Sequence, residues 1–209
     1  MVNELNVKIQ EHAISVAFLG PDGSGKSTII EGLKKQNLLF KQSKYFHLKP
    51  LPASNNATSI VVDDPHAKKA YGFFKSTIKL LVLLVQYNVG WLLNIRKLKT
   101  KSFLIIFDRY FDDLLVDHLR YRYGGSKRIA KFIRYFIPRP DLYFILTADA
   151  NIIHDRKKEV PFEELQRQII AYKNLGDEKR YFNIDVDREP AEIVTEIVAI
   201  LINKINERD

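Results

Sequence analysis

The sequence predicts an α/β fold in which a parallel sheet is covered by helices on both faces. Three observations predict it. Short apolar runs at Ala13 to Leu19, Phe103 to Phe107 and Leu142 to Thr147 read as buried strands. Segments with helical spacing of apolar residues alternate with them. A glycine-rich loop, Gly20 to Ser27, lies directly between the first run and the first helical stretch. The chain has 209 residues, which fits one domain, 1–209, around a continuous core.

Ala13 to Leu19 is the first strand, and Ser27 to Gln36 the first helix, with Ile29, Ile30 and Leu33 on one face. Tyr45 to Leu48 reads as a second strand closed by Pro50 and Pro52. The 53–65 stretch is rich in Ser, Asn and Asp and is expected as a surface loop. From Ala67 to Leu98 the pattern is helical, open to a break near Gly72. Phe103 to Phe107, the third strand, runs straight into Asp108, Arg109 and Tyr110. Asp112 to Arg122 and Lys127 to Phe136 are expected as short helices parted by Gly124 and Gly125, with Pro138 and Pro140 stopping the second. Leu142 to Thr147 is the fourth strand. Helices over Asn151 to Lys158 and Pro161 to Leu175 follow, then a fifth strand, Tyr181 to Asp185. Pro190 opens a last amphipathic helix reaching about Asn206.

Composition narrows the function classes. No cysteine is present, which excludes disulfides and thiolate metal sites and favours a reducing compartment. Met1 to Glu11 lacks the basic-then-apolar layout of a signal peptide. The expected location is cytoplasmic. The net charge of +8 is spread along the chain. Without an aromatic-rich binding motif it argues against nucleic acid and leaves an anionic membrane surface open.

The chemistry begins at Gly20-Pro21-Asp22-Gly23-Ser24-Gly25-Lys26-Ser27, which fits G-x-x-x-x-G-K-[ST]. Glycines let such a loop curl so that backbone N–H groups face phosphate oxygens, and the helix that follows adds its positive end. Lys26 is expected on the β- and γ-phosphates of ATP and the Ser27 hydroxyl on Mg²⁺. Gly20, Asp22, Gly23, Ser24, Gly25, Lys26, Ser27 and Thr28 are the candidate nucleotide-binding residues. Asp108 ends a buried strand on the same sheet edge, where it can hold magnesium through a water. Arg109 beside it can bridge donor and acceptor phosphates. Arg156, Lys157, Lys158 and Glu159, with Arg167 further on, suit a lid over roughly residues 150–170 that neutralises transition-state charge.

With these features the chain resembles the thymidylate kinase family of nucleoside monophosphate kinases nearly end to end. The match rests on the loop with Asp22 inside it, Asp108-Arg109-Tyr110, Pro140-Asp141-Leu142 and the basic segment near Arg156. Asn183-Ile184-Asp185, followed by the helix at Pro190, completes it. The resemblance implies a three-layer P-loop kinase fold with a five-stranded parallel sheet of order 2-3-1-4-5 and a mobile lid. It also implies that Asp22 accepts a hydrogen bond from an acceptor hydroxyl and that Arg109 contacts the acceptor's phosphate. Backbone near Asp185 to Asp187 would border adenine, and a homodimer would form through the long apolar helix.

Two departures bear on the acceptor. Phe46-His47-Leu48-Lys49-Pro50 stands where the family has a Phe-Pro-x-Arg-like segment, so Lys49 would replace an arginine without its bidentate fork. The 111–117 and 120–123 segments resemble a divergent branch associated with bacterial surface-polysaccharide synthesis. The expected function is ATP- and Mg²⁺-dependent phosphoryl transfer to a nucleoside monophosphate such as dTMP. The alternative acceptor is a sugar or lipid-linked saccharide. A nucleotide-dependent switch ranks third, because Asn203-Lys204-Ile205-Asn206 lacks the acid of a guanine-reading motif. Ile78 to Ile95 approaches the length of a membrane span, but Lys79, Gln86, Asn88 and Asn94 interrupt it. A core or dimer-interface helix is the expected role, with membrane-surface contact left open.

Overall fold

Five parallel strands form one sheet in the order β2-β3-β1-β4-β5: β1 (Ile14–Leu19), β2 (Gln42–His47), β3 (Phe103–Asp108), β4 (Leu142–Thr147) and β5 (Tyr181–Asp185). This is the expected order. The structure is a computed structural model and describes residues 13–36, 40–51, 69–176 and 179–207. The expectations for 1–11 and for the 53–65 loop lie outside the described residues. The helices are α1 (Lys26–Lys35), α2 (Phe73–Gly90), α3 (Arg96–Lys99), α4 (Asp112–Val116), α5 (Lys127–Arg134), α6 (Ala150–Arg156), α7 (Phe162–Lys173) and α8 (Pro190–Asn206). A π-helical turn, Trp91–Ile95, joins α2 to α3.

Alternate strand residues point to opposite faces, so the sheet divides the core in two. Ala17, Leu19, Ile105, Phe107, Tyr143 and Ile145 pack with Leu80, Leu83 and Tyr87 of α2 and with the α4–α5 region. Val16, Phe18, Ile106, Phe144 and Leu146 pack instead with α1 and α8, through Ile29, Ile30, Leu33, Ile193 and Ile197. The central strands β1 and β4 are buried throughout. Every strand therefore ends on one edge of the sheet. The register sets Asp108 beside Phe18 on one side and His47 on the other.

Several boundaries differ from expectation for local reasons. The β2 strand starts at Gln42, three residues earlier than expected, because pairing with β3 carries it although Phe46 is its one buried residue. It ends at His47, where Leu48 turns to a left-handed φ of 62°. Among the described residues the long helix begins at Phe73, with Gly72 extended before it. The helix expected over Asp112 to Arg122 stops at Val116. The Asp117 carboxylate accepts the Arg120 backbone N–H at 3.2 Å, a local contact that competes with helix continuation.

The long helix expected near Ile78 to Ile95 is buried along one edge only. Ser76, Leu80, Leu83, Tyr87 and Gly90 form its buried edge, and the opposite side of α2 is exposed.

Candidate active site

The glycine-rich loop leaves β1 against the neighbouring strand. Gly20 has φ 143°, and a Cβ there would stand 2.3 Å from the Leu146 carbonyl oxygen, so a larger residue cannot pass. Gly25 is left-handed at the N-cap of α1, with φ 79° and no side-chain cap. The first N–H groups of the helix are then left for an anion at the loop mouth.

Lys26 folds over the loop it belongs to. Its Nζ donates to the carbonyls of Gly20 and Pro21 at 2.8 Å each and to Ser24 Oγ at 3.3 Å. Burial, with Arg109 adding to it, brings its pKa down to about 7. Three neutral acceptors do not compensate fully for the water the ammonium has lost.

The carboxyl end of β3 supplies the second half of the site. Asp108 Oδ2 accepts from Tyr45 Oη at 2.9 Å and lies 3.7 Å from His47 Nδ1. Burial raises its pKa, but His47, Tyr45 and Lys26 more than offset that, and the carboxyl stays below its ordinary value. Arg109 follows with φ 70°, a left-handed conformation rare for arginine and of the kind found at functional sites. That turn sends its buried side chain back across the sheet edge. Its Nη1 donates to Asp113 Oδ2 at 2.6 Å, while Nη2 donates to Asp22 Oδ1. Asp113 is fully buried and also accepts from Tyr172 Oη at 2.9 Å and Tyr121 Oη at 3.3 Å. The acid behind Arg109 is thus locked, and so is the guanidinium.

Asp22 joins the two halves. Its second oxygen accepts from Arg120 Nη1, and the partly buried Glu159 carboxyl interacts with it electrostatically. Burial would raise the Asp22 pKa, yet Glu159, Arg109, Lys26 and Arg120 hold it well below the usual carboxylate range. Glu159 moves the opposite way, raised by burial and by Asp22. Arg120 lies 4.0 Å from Glu159, and Lys157 also pairs with that acid. The segment after α6 is therefore tied to the loop.

Asp22, Gly23, Gly25, Lys26, Ser27, Thr28, Asp108, Arg109 and Arg156 meet at one cavity of about 470 Å³, together with His47, Arg120 and Lys157. A second cavity, about 360 Å³, is lined by Ser24, Ile29, Val186, Arg188 and Pro190 and shares Gly25, Thr28 and Arg156 with the first. Arg156 Nη2 donates to the Val186 carbonyl at 3.1 Å. Gly20 stands behind the loop as an acceptor for Lys26. Asp185 is not brought to either cavity. Its carboxylate accepts the Asp187 N–H at 3.0 Å, and it borders a separate depression with Asp149 and Lys173. The next residue, Val186, takes its place. Arg167, expected at the lid, pairs with Glu164 and donates to the Val116 carbonyl. Lys49 donates to Gln86 Oε1 at 2.9 Å and does not line the cavity.

Sequence reading missed Arg120, Tyr45 and His47 as site residues, and it placed Glu159 only in the lid segment. Tyr45 and His47 carried a signal, because residues two apart at a strand's carboxyl end share a face. Arg120 carried none, since its position depends on where α4 stops.

No family model matches the sequence. A probable thymidylate kinase of Pyrobaculum aerophilum is 24% identical over 203 residues, covering 89% of this chain and 95% of the relative. Thymidylate kinase from Candida albicans superposes with a TM-score of 0.67 at 18% identity, covering 93% of both chains. By sequence and fold, this chain is similar to thymidylate kinases. Thymidylate kinase from Ehrlichia chaffeensis agrees, with a TM-score of 0.57, 18% identity and coverage of 91% of this chain and 99% of that one. The chain carries the P-loop kinase fold across its sheet and flanking helices.

Proposed function

We propose that this chain is an ATP-dependent nucleoside monophosphate kinase with dTMP as its preferred acceptor. One observation carries the choice of a phosphate acceptor: both Asp22 oxygens pair with guanidiniums, those of Arg109 and Arg120, and its pKa is strongly depressed. An alcohol acceptor needs a base, and a carboxylate held this way is a poor one. A nucleoside monophosphate brings its own anionic oxygen and needs cations, which Arg109 and Arg120 supply at the cavity. Asp22 keeps lone pairs for a sugar hydroxyl while holding both arginines.

The donor lies with its base in the Val186–Pro190 cavity and its phosphates in the loop. Ser27 is exposed at the cavity and Asp108 is held ionised beside it, a hydroxyl and carboxylate set that suits Mg²⁺. Magnesium would neutralise charge on the β- and γ-phosphates there. Among the described residues no group of three His, Asp or Glu could hold a metal unaided, so phosphate oxygens complete its shell. An acceptor phosphate oxygen bonds to the γ-phosphorus as the bond to the β–γ bridging oxygen breaks, leaving ADP and a nucleoside diphosphate. Lys26, Arg109, Arg156 and Lys157 stabilise the charge spread over the transferring group.

The test is ADP formation with a panel of nucleoside monophosphates and simple saccharides. Turnover is expected with dTMP above the others, and Arg120→Ala is expected to raise the acceptor KM by about tenfold or more. Protein that binds ATP yet turns over no nucleoside monophosphate overturns the reading.

Lys26 adds a pH signature. With its pKa near 7 in the free protein and the charged form restored against phosphates, ATP binding above neutrality takes up a proton. ATP affinity is expected to fall by up to about tenfold per pH unit above that value. Calorimetry at about pH 8, in buffers of unlike ionisation enthalpy, measures the uptake directly. Heats independent of the buffer would contradict it.

A further inference from the structure

We propose that Tyr45 is a positioning residue for phosphoryl transfer: its hydroxyl holds one oxygen of Asp108 and so leaves the other for magnesium. This role rests on the reading of Ser27 and Asp108 as the pair that suits the metal, and extends it to a residue outside the cavity. Asp108 and Ser27 line that cavity and Tyr45 does not. The phenol therefore acts through the carboxylate and touches neither substrate.

The sheet carries the phenol there. Phe46 is the buried residue of β2 and stacks on Phe107, with ring centroids 5.4 Å apart. Alternation then turns Tyr45 and His47 to the opposite face of the sheet, the one that α1 covers. The register pairs Tyr45 with Ile106 and His47 with Asp108. Ile106 packs with Ile29, Ile30 and Leu33 of α1, so Asp108, two residues on, lies on that same face. Two residues of strand are about 7 Å, a step that the long tyrosine side chain can span diagonally.

Tyr45 Oη donates to Asp108 Oδ2 at 2.9 Å. His47 Nδ1 lies 3.7 Å from the same oxygen, beyond ordinary hydrogen-bond length, and its side chain is 63% exposed. Among the described residues no hydrogen bond reaches Oδ1, and the phenol is the one short tether on this carboxylate. The tether is itself braced. Lys34 of α1 sets its ammonium over the Tyr45 ring, 4.3 Å from the centroid. A carboxylate held at one oxygen keeps one orientation. Losing such an outer partner ordinarily weakens metal affinity or activity by about 10–100-fold.

The experiment is Tyr45→Phe, which keeps the ring and its contact with Lys34 and removes only the hydroxyl. Two midpoints are measured: the Mg²⁺ dependence of ADP formation, and Mn²⁺ binding with ATP but no acceptor, read from the paramagnetic resonance of free Mn²⁺. Both are expected to rise at least about tenfold, while ATP affinity in excess chelator stays unchanged. Added to Asp108→Asn, the tyrosine substitution should cause no further loss, because both act on one carboxylate. Unchanged metal dependence in Tyr45→Phe, beside a weakened Asp108→Asn, overturns the positioning role and leaves the magnesium reading standing. Losses that multiply in the double variant overturn it as well. An Asp108→Asn protein that binds Mn²⁺ with ATP as the original does removes the magnesium reading, and the role of Tyr45 falls with it.

Discussion

Lys26→Ala is expected to reduce phosphoryl transfer by about a hundredfold to a thousandfold or more while leaving the folded protein at least as stable as the original. The rate loss follows from removing the one ammonium that the loop encloses, a cation that interacts with charge on the transferring group. The stability result follows from its burial. An ammonium whose pKa falls from 10.5 to about 7 pays on the order of 5 kcal/mol to remain charged in place. Its sign can be read from pH. Between about 7 and the ordinary lysine value the unfolded chain binds the proton and the folded chain does not, so stability of the original protein rises with pH across that window. The alanine variant lacks that rise. Thermal melts between those pH values, beside ADP formation at saturating ATP, measure both effects. A variant with near-original turnover would remove Lys26 from the chemistry.

Arg109→Met carries the second large effect, and it falls on stability as well as rate. The guanidinium is buried between Asp113 and Asp22, and Asp113 has no exposure of its own. Removing the cation leaves a buried carboxylate with two tyrosine hydroxyls and no counter-charge. The expected cost is about 3–5 kcal/mol. Adding Asp113→Asn should return part of that stability, because the uncompensated charge goes with it. Neither variant should recover turnover, since the cavity loses one of its lining cations, which the proposed reaction uses on phosphate. Melts of the single and double variants, with acceptor KM where activity is measurable, decide it. If the single variant melts with the original protein, the two ion pairs contribute no net stability.

What was legible in the sequence was local. The apolar runs of β1, β3 and β4 announced strands because both faces of a central parallel strand are buried. Gly20 to Ser27 announced a tight glycine-rich turn into α1 because its geometry depends on neighbours in the chain. Asp108 and Arg109 followed from lying at the end of a buried strand. The edge strand β2 was harder to bound, since four of its first five residues are exposed or polar and backbone pairing with β3 defines it. The contacts of Arg120 and Glu159 with Asp22 could not be read, because Arg120 meets it from 98 residues away and Glu159 from further still. Within the 185–187 stretch, Val186 borders the cavity and Asp185 a separate depression.

Arg120 stands between the glycine-rich loop and the segment after α6, pairing with Asp22 and lying 4.0 Å from Glu159. A phosphate that recruits this guanidinium draws it away from both acids at once. The two substrates are then thermodynamically coupled through one side chain. Whatever free energy acceptor binding adds to or removes from the Asp22–Glu159 contact, donor-driven movement of the 157–160 segment must return as an equal change in acceptor affinity. On the proposed reaction, such cooperativity runs through the one guanidinium that faces both Asp22 and Glu159.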